Sequence, residues 1–174
     1  MADILEHLHK VPAIMEAGAR LSRRSAEERG ALILVVFDPR LHKVLLEGDA
    51  TAGMRFPTLT LGKLTVVETL KAYLQQHPDL TDQTTQLYDL GDHSRRSAGA
   101  GVVVDTVVAM AAGANADTTK FDDGWRYLPS GQQDPEYDYA YYYAGLMGED
   151  EAVANRPILD QLQDLLRLAT TKPK

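Results

Sequence analysis

Cysteine is absent from this chain of 174 residues, which excludes a disulfide framework and a metal site built from thiolates. No apolar run approaches the ~18 residues that a membrane-spanning helix needs, so we expect no membrane partner. The first ten residues, MADILEHLHK, lack the basic and apolar regions of a signal peptide. These absences predict a cytoplasmic protein.

Positive charge is also scarce, since 18 Lys and Arg residues face 25 Asp and Glu residues and give a net charge of −7. A nucleic-acid surface needs clustered basic residues to neutralise phosphates. The one dense basic cluster, Arg20, Arg23 and Arg24, is interpreted as a solvated helix face whose field Glu27 and Glu28 partly cancel. We therefore expect no direct nucleic-acid partner.

The composition is otherwise that of a globular protein, with 44% hydrophobic and 25% charged residues. The length suits one domain with a substantial core. The patterns predict a mixed order of helices and strands, typical of an α+β fold. In chain order the predicted elements are helices over 2–29 that Pro12 divides, strands over 31–37 and 44–47, a loop over 48–54, a helix from Thr65 to His77, strands over 84–90 and 101–112 joined by a polar loop, a short strand over 124–129, and a last helix after Asn155.

Several strings, in this order, resemble the Nudix superfamily of diphosphate hydrolases over roughly residues 31–169. They are ALILVVFDPRLHKVLLE, RFPTLTLGK, a helix that opens with Thr65 and Glu68 in a capping box, RYLP and NRPILDQLQDLLRL. The stretch QLYDLGDHSRRSAGAGVVVDTVVAM is similar to ADP-ribose pyrophosphatase-like members and to Nudix-related regulators of NAD metabolism.

This resemblance implies an α/β/α sandwich with a mixed sheet over residues 30–174, preceded by an N-terminal helical extension over residues 1–29. In the regulator branch a winged helix-turn-helix follows the Nudix-like domain. Since no such segment follows here, DNA binding is not expected to transfer.

The predicted helix after Thr65 departs from the Nudix box where that motif holds magnesium. With Thr65 placed on the capping threonine of the motif, the metal-binding glutamates fall on Tyr73, Gln76 and His77. Magnesium prefers carboxylate oxygens, and none of these three side chains supplies one. We therefore expect no catalytic residue, no metal site and no cofactor. Mg²⁺ would be needed only if carboxylates elsewhere in the chain bind it instead.

Relocated carboxylates would define a divergent Nudix hydrolase, which is the first alternative. Four of the five candidates also have a structural interpretation: the capping box for Glu68, a buried hydrogen bond for Asp105, and a turn for Asp89 and Asp92. The candidates are Glu47, Glu68, Asp89, Asp92 and Asp105.

Two features favour ligand binding instead. Arg95 and Arg96, in the predicted loop, suit a diphosphate because each guanidinium can engage oxygens in a fork. The predicted ligand-binding set is Arg95, Arg96, Tyr73, Gln76 and His77. The tyrosines of YDYAYYYAGLM, residues 137–147, are typical of ring stacking or of a subunit interface, which would make a homodimer.

The sequence thus predicts a degenerate Nudix-fold protein that binds a nucleotide-like or sugar-diphosphate (ADP-ribose-like) ligand and is not an enzyme. The second alternative is a purely structural or oligomerising protein.

Overall fold

The computed structural model describes the backbone of residues 4–25, 29–38, 43–49, 53–61, 63–77, 81, 85–97, 101–111, 125–127 and 156–171. The tyrosine segment 137–147 and the predicted helix cap Asn155 lie outside these ranges. The elements are a 3-10 helix (Ile4–Lys10), α1 (Pro12–Ser22), β1 (Arg29–Asp38), β2 (Lys43–Leu45), β3 (Glu47–Asp49), β4 (Gly53–Arg55), β5 (Thr58–Thr60), α2 (Val66–Gln76), β6 (Gln86–Ser97), β7 (Gly101–Ala111), β8 (Trp125–Tyr127) and α3 (Arg156–Thr171).

The main sheet has the strand order β6-β7-β1-β2-β8, and β5 also pairs with β1. Strand β1 runs parallel to β7 along one edge and antiparallel to β5 and β2 along the other. Its sequence ALILVVF is apolar throughout because both of its faces are buried. The expectations of mixed α and β structure and of a mixed sheet are therefore confirmed.

Helices cover both faces of this sheet. Successive β1 side chains alternate between the faces: Ile33, Val35 and Phe37 share a core with Ile158 and Leu162 of α3. Leu32, Leu34 and Val36 belong to the second core, which contains the apolar stripes of the N-terminal helices and of α2. Among the described residues no helix is long and apolar enough to cross a membrane.

The N-terminal helices belong to the packed structure. Pro12 separates the 3-10 helix from α1 as predicted, and Leu8, Ile14, Ala17 and Leu21 are buried in the core shared with α2. The predicted helix over 2–29 was wrong at its end, since α1 stops at Ser22 and Arg29 already pairs with β7. The division between residues 1–29 and 30–174 stays a prediction.

Three segments form strands where the sequence predicted loops or no element. Short strands β3 and β4 make a hairpin within the predicted loop 48–54, and β5 forms within RFPTLTLGK. Strand β6 continues to Ser97 through the segment predicted as a polar loop. Pairing with a neighbouring strand satisfies backbone groups whatever the side-chain polarity, so tertiary context overrode local composition.

The predicted capping box of α2 is confirmed. The Thr65 hydroxyl accepts the Glu68 N–H at 3.0 Å, and the Glu68 carboxylate accepts the Thr65 N–H at 2.9 Å. These bonds lower the pKa of Glu68, the backbone bond from Thr65 most of all. The helix ends at Gln76 with His77 as its C-cap, as expected for the residue before a proline.

Asp105 makes the structural hydrogen bond expected of it. The pairing register between β1 and β7 shifts between Arg29 and Leu32, and there the buried Asp105 carboxylate accepts the Ala31 N–H at 2.8 Å. A Cβ atom on Gly30 would lie 2.1 Å from that same oxygen and 2.9 Å from the Val104 carbonyl. The carboxylate therefore replaces a sheet hydrogen bond, and only glycine leaves room for it.

Substitution Gly30→Ala should lower the free energy of unfolding by at least about 2 kcal/mol, because the new methyl group displaces the Asp105 carboxylate. Gly18→Ala is the matched control, since nothing lies within 4 Å of a Cβ placed there in α1. That change should raise the free energy by about 0.5–1 kcal/mol. Urea denaturation of both variants measures the difference, and equal effects would contradict the close approach.

Candidate functional site

The face of α2 that would carry metal ligands in a Nudix box is aromatic and amide in character. Tyr73 is buried, and its ring centroid lies 4.5 Å from that of His77, with the planes tilted by 42°. Gln76 is exposed at the last helical position. The only acidic residue of α2 is Glu68, and its carboxylate is engaged in the capping box.

Two aspartates of β6 lie on the α1 face of the sheet because the strand is bulged. Residues three apart in a regular strand point to opposite faces. In β6 the register shifts between Asp89 and Gly91, so that Asp89 faces Val108, Gly91 faces Val107 and Asp92 faces Thr106. Leu90 is the extra residue. Gly91 has a φ of 87°, and its N–H donates to Asp89 Oδ1 at 2.9 Å.

Arg20, in the last turn of α1, and Arg24, two residues past its end, bind these two aspartates. We call these four residues the ion-pair cluster. Both terminal nitrogens of Arg20 donate to Asp89, at 2.5 and 2.6 Å, in a fork, and its Nε lies 3.2 Å from Asp92 Oδ1. Arg24 Nη2 donates to Asp92 Oδ2 at 2.6 Å. The aspartate side chains are only 12% and 10% exposed.

The interpretation of the basic cluster as a solvated helix face was therefore wrong for Arg20 and Arg24. Their side chains are 27% and 32% exposed and lie against β6, and only Arg23 is an exposed residue of this cluster. The turn interpretation of Asp89 holds locally through its bond to Gly91, but its main partner is an arginine 69 positions away.

The ion-pair cluster also sets the charge states of Arg20 and Asp89. Burial alone raises the pKa of Asp89, but the hydrogen bonds from Arg20 and Gly91, with the charge of Arg20, outweigh it and lower that pKa. The hydrogen bond to Asp89 raises the pKa of Arg20 further above its ordinary value. Both groups are therefore charged at neutral pH.

On the opposite face of the sheet, α3 and a histidine contact the bulge. Gln161 Nε2 donates to the Leu90 carbonyl at 3.0 Å, and His93 Nε2 lies 3.3 Å from the same oxygen. The extra residue of β6 thus has polar partners on the α3 face while its flanking aspartates are bound on the α1 face. The bulge is fixed from both sides.

The predicted ligand-binding residues divide into two groups. Arg95 and Arg96 stand in β6 opposite Val103 and Val102, with their side chains outside the described part of the structure. Tyr73, Gln76 and His77 end α2. Helix α1 packs against α2 and also against β6 and β7. The two groups therefore lie on two different elements, each of which contacts α1.

The described carboxylates do not assemble into a cation site. Within the described ranges no group of three or more His, Cys, Asp or Glu residues could hold a metal ion. Asp89 and Asp92 bind arginines, Glu68 caps α2, and Asp105 accepts a backbone N–H. The fifth candidate, Glu47, lies in β3 with its side chain outside those ranges.

A scan against protein-family models gives no match to this chain, and a search of curated protein sequences gives none either. The Nudix resemblance and the function drawn from it are therefore developed below as proposals.

The ion-pair cluster is the feature that the sequence did not reveal. The i, i+4 spacing of Arg20 and Arg24 was a visible signal, because it places both side chains on one helix face. The spacing of Asp89 and Asp92 argued the other way, since a regular strand would separate them. Gly91 gave no signal of a bulge, because it opened the segment that the sequence predicted as a polar loop.

A double-mutant cycle on Arg20→Gln and Asp89→Asn should give a coupling free energy of about 1–3 kcal/mol, because the pair is forked and partly buried. The control cycle uses Arg156→Gln and Asp160→Asn, an exposed i, i+4 pair on α3 at 3.2 Å. Its coupling should be about 0.5 kcal/mol or less. Chemical denaturation measures both, and equal couplings would mean that solvent screens the cluster as fully as it screens the exposed pair.

Acid should also weaken the fold through Asp89. Its pKa is lower in the folded chain than the value of about 3.9 in an unfolded one. The stabilisation is therefore complete above pH ~4 and declines as pH falls through the folded pKa. Asp89→Asn should flatten the stability profile below pH ~4, whereas Asp164→Asn, at an exposed position of α3, should leave it unchanged. If the stability of the wild type stays constant below pH ~4, protonation of Asp89 is not coupled to unfolding.

Proposed function

We propose that this protein is a catalytically degenerate Nudix-fold protein that binds a nucleotide-like or sugar-diphosphate ligand, with ADP-ribose as the model compound, and acts as a binding or regulatory module. The observation that carries the proposal is the character of α2. The helix has the capping box that opens a Nudix helix and a buried apolar stripe, but Tyr73, Gln76 and His77 stand where carboxylates would be.

The charge requirement of the hydrolase reaction supports a binding role. Magnesium beside a diphosphate needs several carboxylates converging at i, i+3 and i+4 to hold the ion and to activate water. Neutral tyrosine, glutamine and histidine side chains can accept or donate hydrogen bonds, but they contribute no negative charge. The site on α2 is thus suited to recognition of a ligand rather than to its hydrolysis.

The same side chains suit parts of a nucleotide-like molecule. The half-buried ring of His77, which rests against the buried ring of Tyr73, can contact a base, and the exposed amide of Gln76 can donate to and accept from a sugar or a base. Arg95 and Arg96 are assigned to the diphosphate, whose charge two guanidinium groups can match.

The divergent-hydrolase alternative draws no support from the described carboxylates. Asp92, which would be its first candidate, binds Arg24 at 2.6 Å, and Asp105 is buried against Ala31. A cation would have to displace these partners. The structural alternative was drawn from the N-terminal helices, which pack in the core shared with α2, and from the tyrosine segment 137–147, which lies outside the described residues.

Isothermal titration calorimetry with ADP-ribose, in the presence of EDTA, tests the proposal. Binding should persist without a divalent cation, and the double variant Gln76→Ala/His77→Ala should weaken it about fivefold or more, since each lost hydrogen bond contributes about 1 kcal/mol. Lys71→Ala, at an exposed position of the same helix, is the control and should bind normally.

The proposal fails if ADP-ribose, NAD and nucleoside diphosphate sugars all fail to bind at millimolar concentration. Release of phosphate from these compounds with Mg²⁺ or Mn²⁺, abolished in Asp92→Ala, would instead establish the divergent hydrolase.

A further inference from the structure

Strand β6 pairs with β7 in two registers that meet at the bulge. Before the bulge Asp89 faces Val108, and after it Gly91 faces Val107. If Leu90 paired with Val107 instead, the register of the first half would continue through the whole strand and there would be no bulge. We call the observed pairing the bulged register and the continuous pairing the regular register. The two differ by one residue in the pairing of residues 91–97.

The length of the connection between the two strands permits both registers. In the bulged register Ser97 pairs with Gly101, so three residues separate the last pair along the chain. In the regular register Ser97 would pair with Ala100, and two residues would separate them. Hairpin connections of two and of three residues are both common, and the sequence between the strands consists only of alanine and glycine. The connection therefore does not select a register, and side-chain contacts must do so.

Gly91, at the junction of the two registers, is compatible with either of them. In the bulged register its φ is 87°, a value that glycine adopts without the penalty of a Cβ atom. Glycine also adopts the extended backbone of a regular strand. The backbone at the bulge therefore presents no steric barrier to the regular register.

The contact between Arg24 and Asp92 exists only in the bulged register. Arg24 Nη2 donates to Asp92 Oδ2 at 2.6 Å on the α1 face of the sheet. In the regular register Asp92 would face Asp105 instead of Thr106. Its side chain would then point toward α3, because a shift by one residue reverses the direction of every side chain. Arg24 would lose this partner.

The buried carboxylate of Asp105 distinguishes the two registers by charge. Asp105 is 4% exposed, and its cross-strand neighbour in the bulged register is His93. In the regular register that neighbour would be Asp92. Like charges directly opposite each other on paired strands are destabilising. Asp105 therefore disfavours the regular register, in addition to accepting the Ala31 N–H.

Helix α3 contacts the one residue whose pairing differs most between the registers. Gln161 Nε2 donates to the Leu90 carbonyl at 3.0 Å. Leu90 is the extra residue of the bulged register, whereas in the regular register it would pair with Val107 and its carbonyl would move relative to α3. The bulged register is thus stabilised from the α1 face, from the α3 face and from within the sheet.

We propose that β6 is a two-register switch, in which residues 91–97 move by one position along β7 and the bulge disappears. Arg24, Gln161 and Asp105 hold the bulged register, and loss of their contacts releases the second half of the strand. Arg20 keeps its fork on the first half, whose pairing is the same in both registers. The register therefore determines whether the chain is also held on the sheet just past the end of α1.

Engineered disulfides report the register, because the chain has no cysteine of its own. Ser94 faces Val104 in the bulged register and would face Val103 in the regular one. Directly opposite residues lie within disulfide range, whereas neighbouring residues of one strand point to opposite faces. The pair Ser94→Cys/Val104→Cys therefore reports the bulged register, and Ser94→Cys/Val103→Cys reports the regular one. Mass spectrometry under mild oxidation measures the rate at which each disulfide forms.

The disulfide of the bulged register should form faster in the otherwise unchanged chain. Addition of Arg24→Gln and Asp105→Asn should raise the rate of the regular-register disulfide relative to the other about tenfold or more, since one ion pair and one like-charge repulsion are removed. Asparagine at position 105 keeps an oxygen that can accept the Ala31 N–H. Arg156→Gln, which breaks an exposed ion pair on α3, is the control and should leave the ratio of rates unchanged.

The switch is overturned if Arg24→Gln and Asp105→Asn leave the ratio of rates at its original value, or if Arg156→Gln changes it equally. Circular dichroism verifies that each variant is folded. If the combined variant unfolds, Arg24→Gln alone decides: the ratio should rise about threefold or more, and an unchanged ratio would contradict the switch.

Deletion of Leu90 distinguishes a change of register from general loosening of the strand. Without this residue, the pairs of the bulged register form one continuous ladder, so no second register competes with them. The deletion should therefore keep the regular-register disulfide slow even when Arg24→Gln and Asp105→Asn are present. An equal rise in the deleted chain would show local unfolding and would overturn the switch.

Discussion

The described architecture depends on one extra residue in β6. Leu90 shifts the strand by one position, and this brings Asp89 and Asp92 to the same face of the sheet. Arg20 of α1 and Arg24, two residues past its end, can then bind both carboxylates, which fixes the helix on the edge of the sheet. Without the bulge, one of these aspartates would point toward α3 and one arginine would lose its partner. The position of α1 on β6 follows from this local irregularity.

The partners of the described carboxylates show what negative charge does in this fold. Buried and partly buried carboxylates need partners, and Asp89, Asp92 and Asp105 have them: the first two bind arginines and the third accepts the Ala31 N–H. The exposed Glu68 caps α2. Acidic residues in this chain therefore stabilise elements and hold them together. A hydrolase would require the opposite arrangement, with several carboxylates facing one another across a site and compensated by a metal ion.

The sequence was most informative where local chemistry is sufficient. Thr65 and Glu68 predicted the start of α2 because their two bonds form within one helical turn. The apolar run 31–37 predicted β1, and its composition predicted that both faces would be buried. The polar segment around Arg95 misled the prediction, because the pairing of an edge strand depends on its neighbour and leaves little trace in composition.

The sequence by itself determined the helices with clear stripes and caps, the central apolar strands, and the absence of carboxylates at positions 73, 76 and 77. These properties depend on residues within a few positions of one another. Only the tertiary structure decided that Asp89 and Asp92 bind Arg20 and Arg24, and that α1 packs against both α2 and β6. Those outcomes join residues about 70 positions apart through a bulge, and the bulge is fixed by contacts from both faces of the sheet.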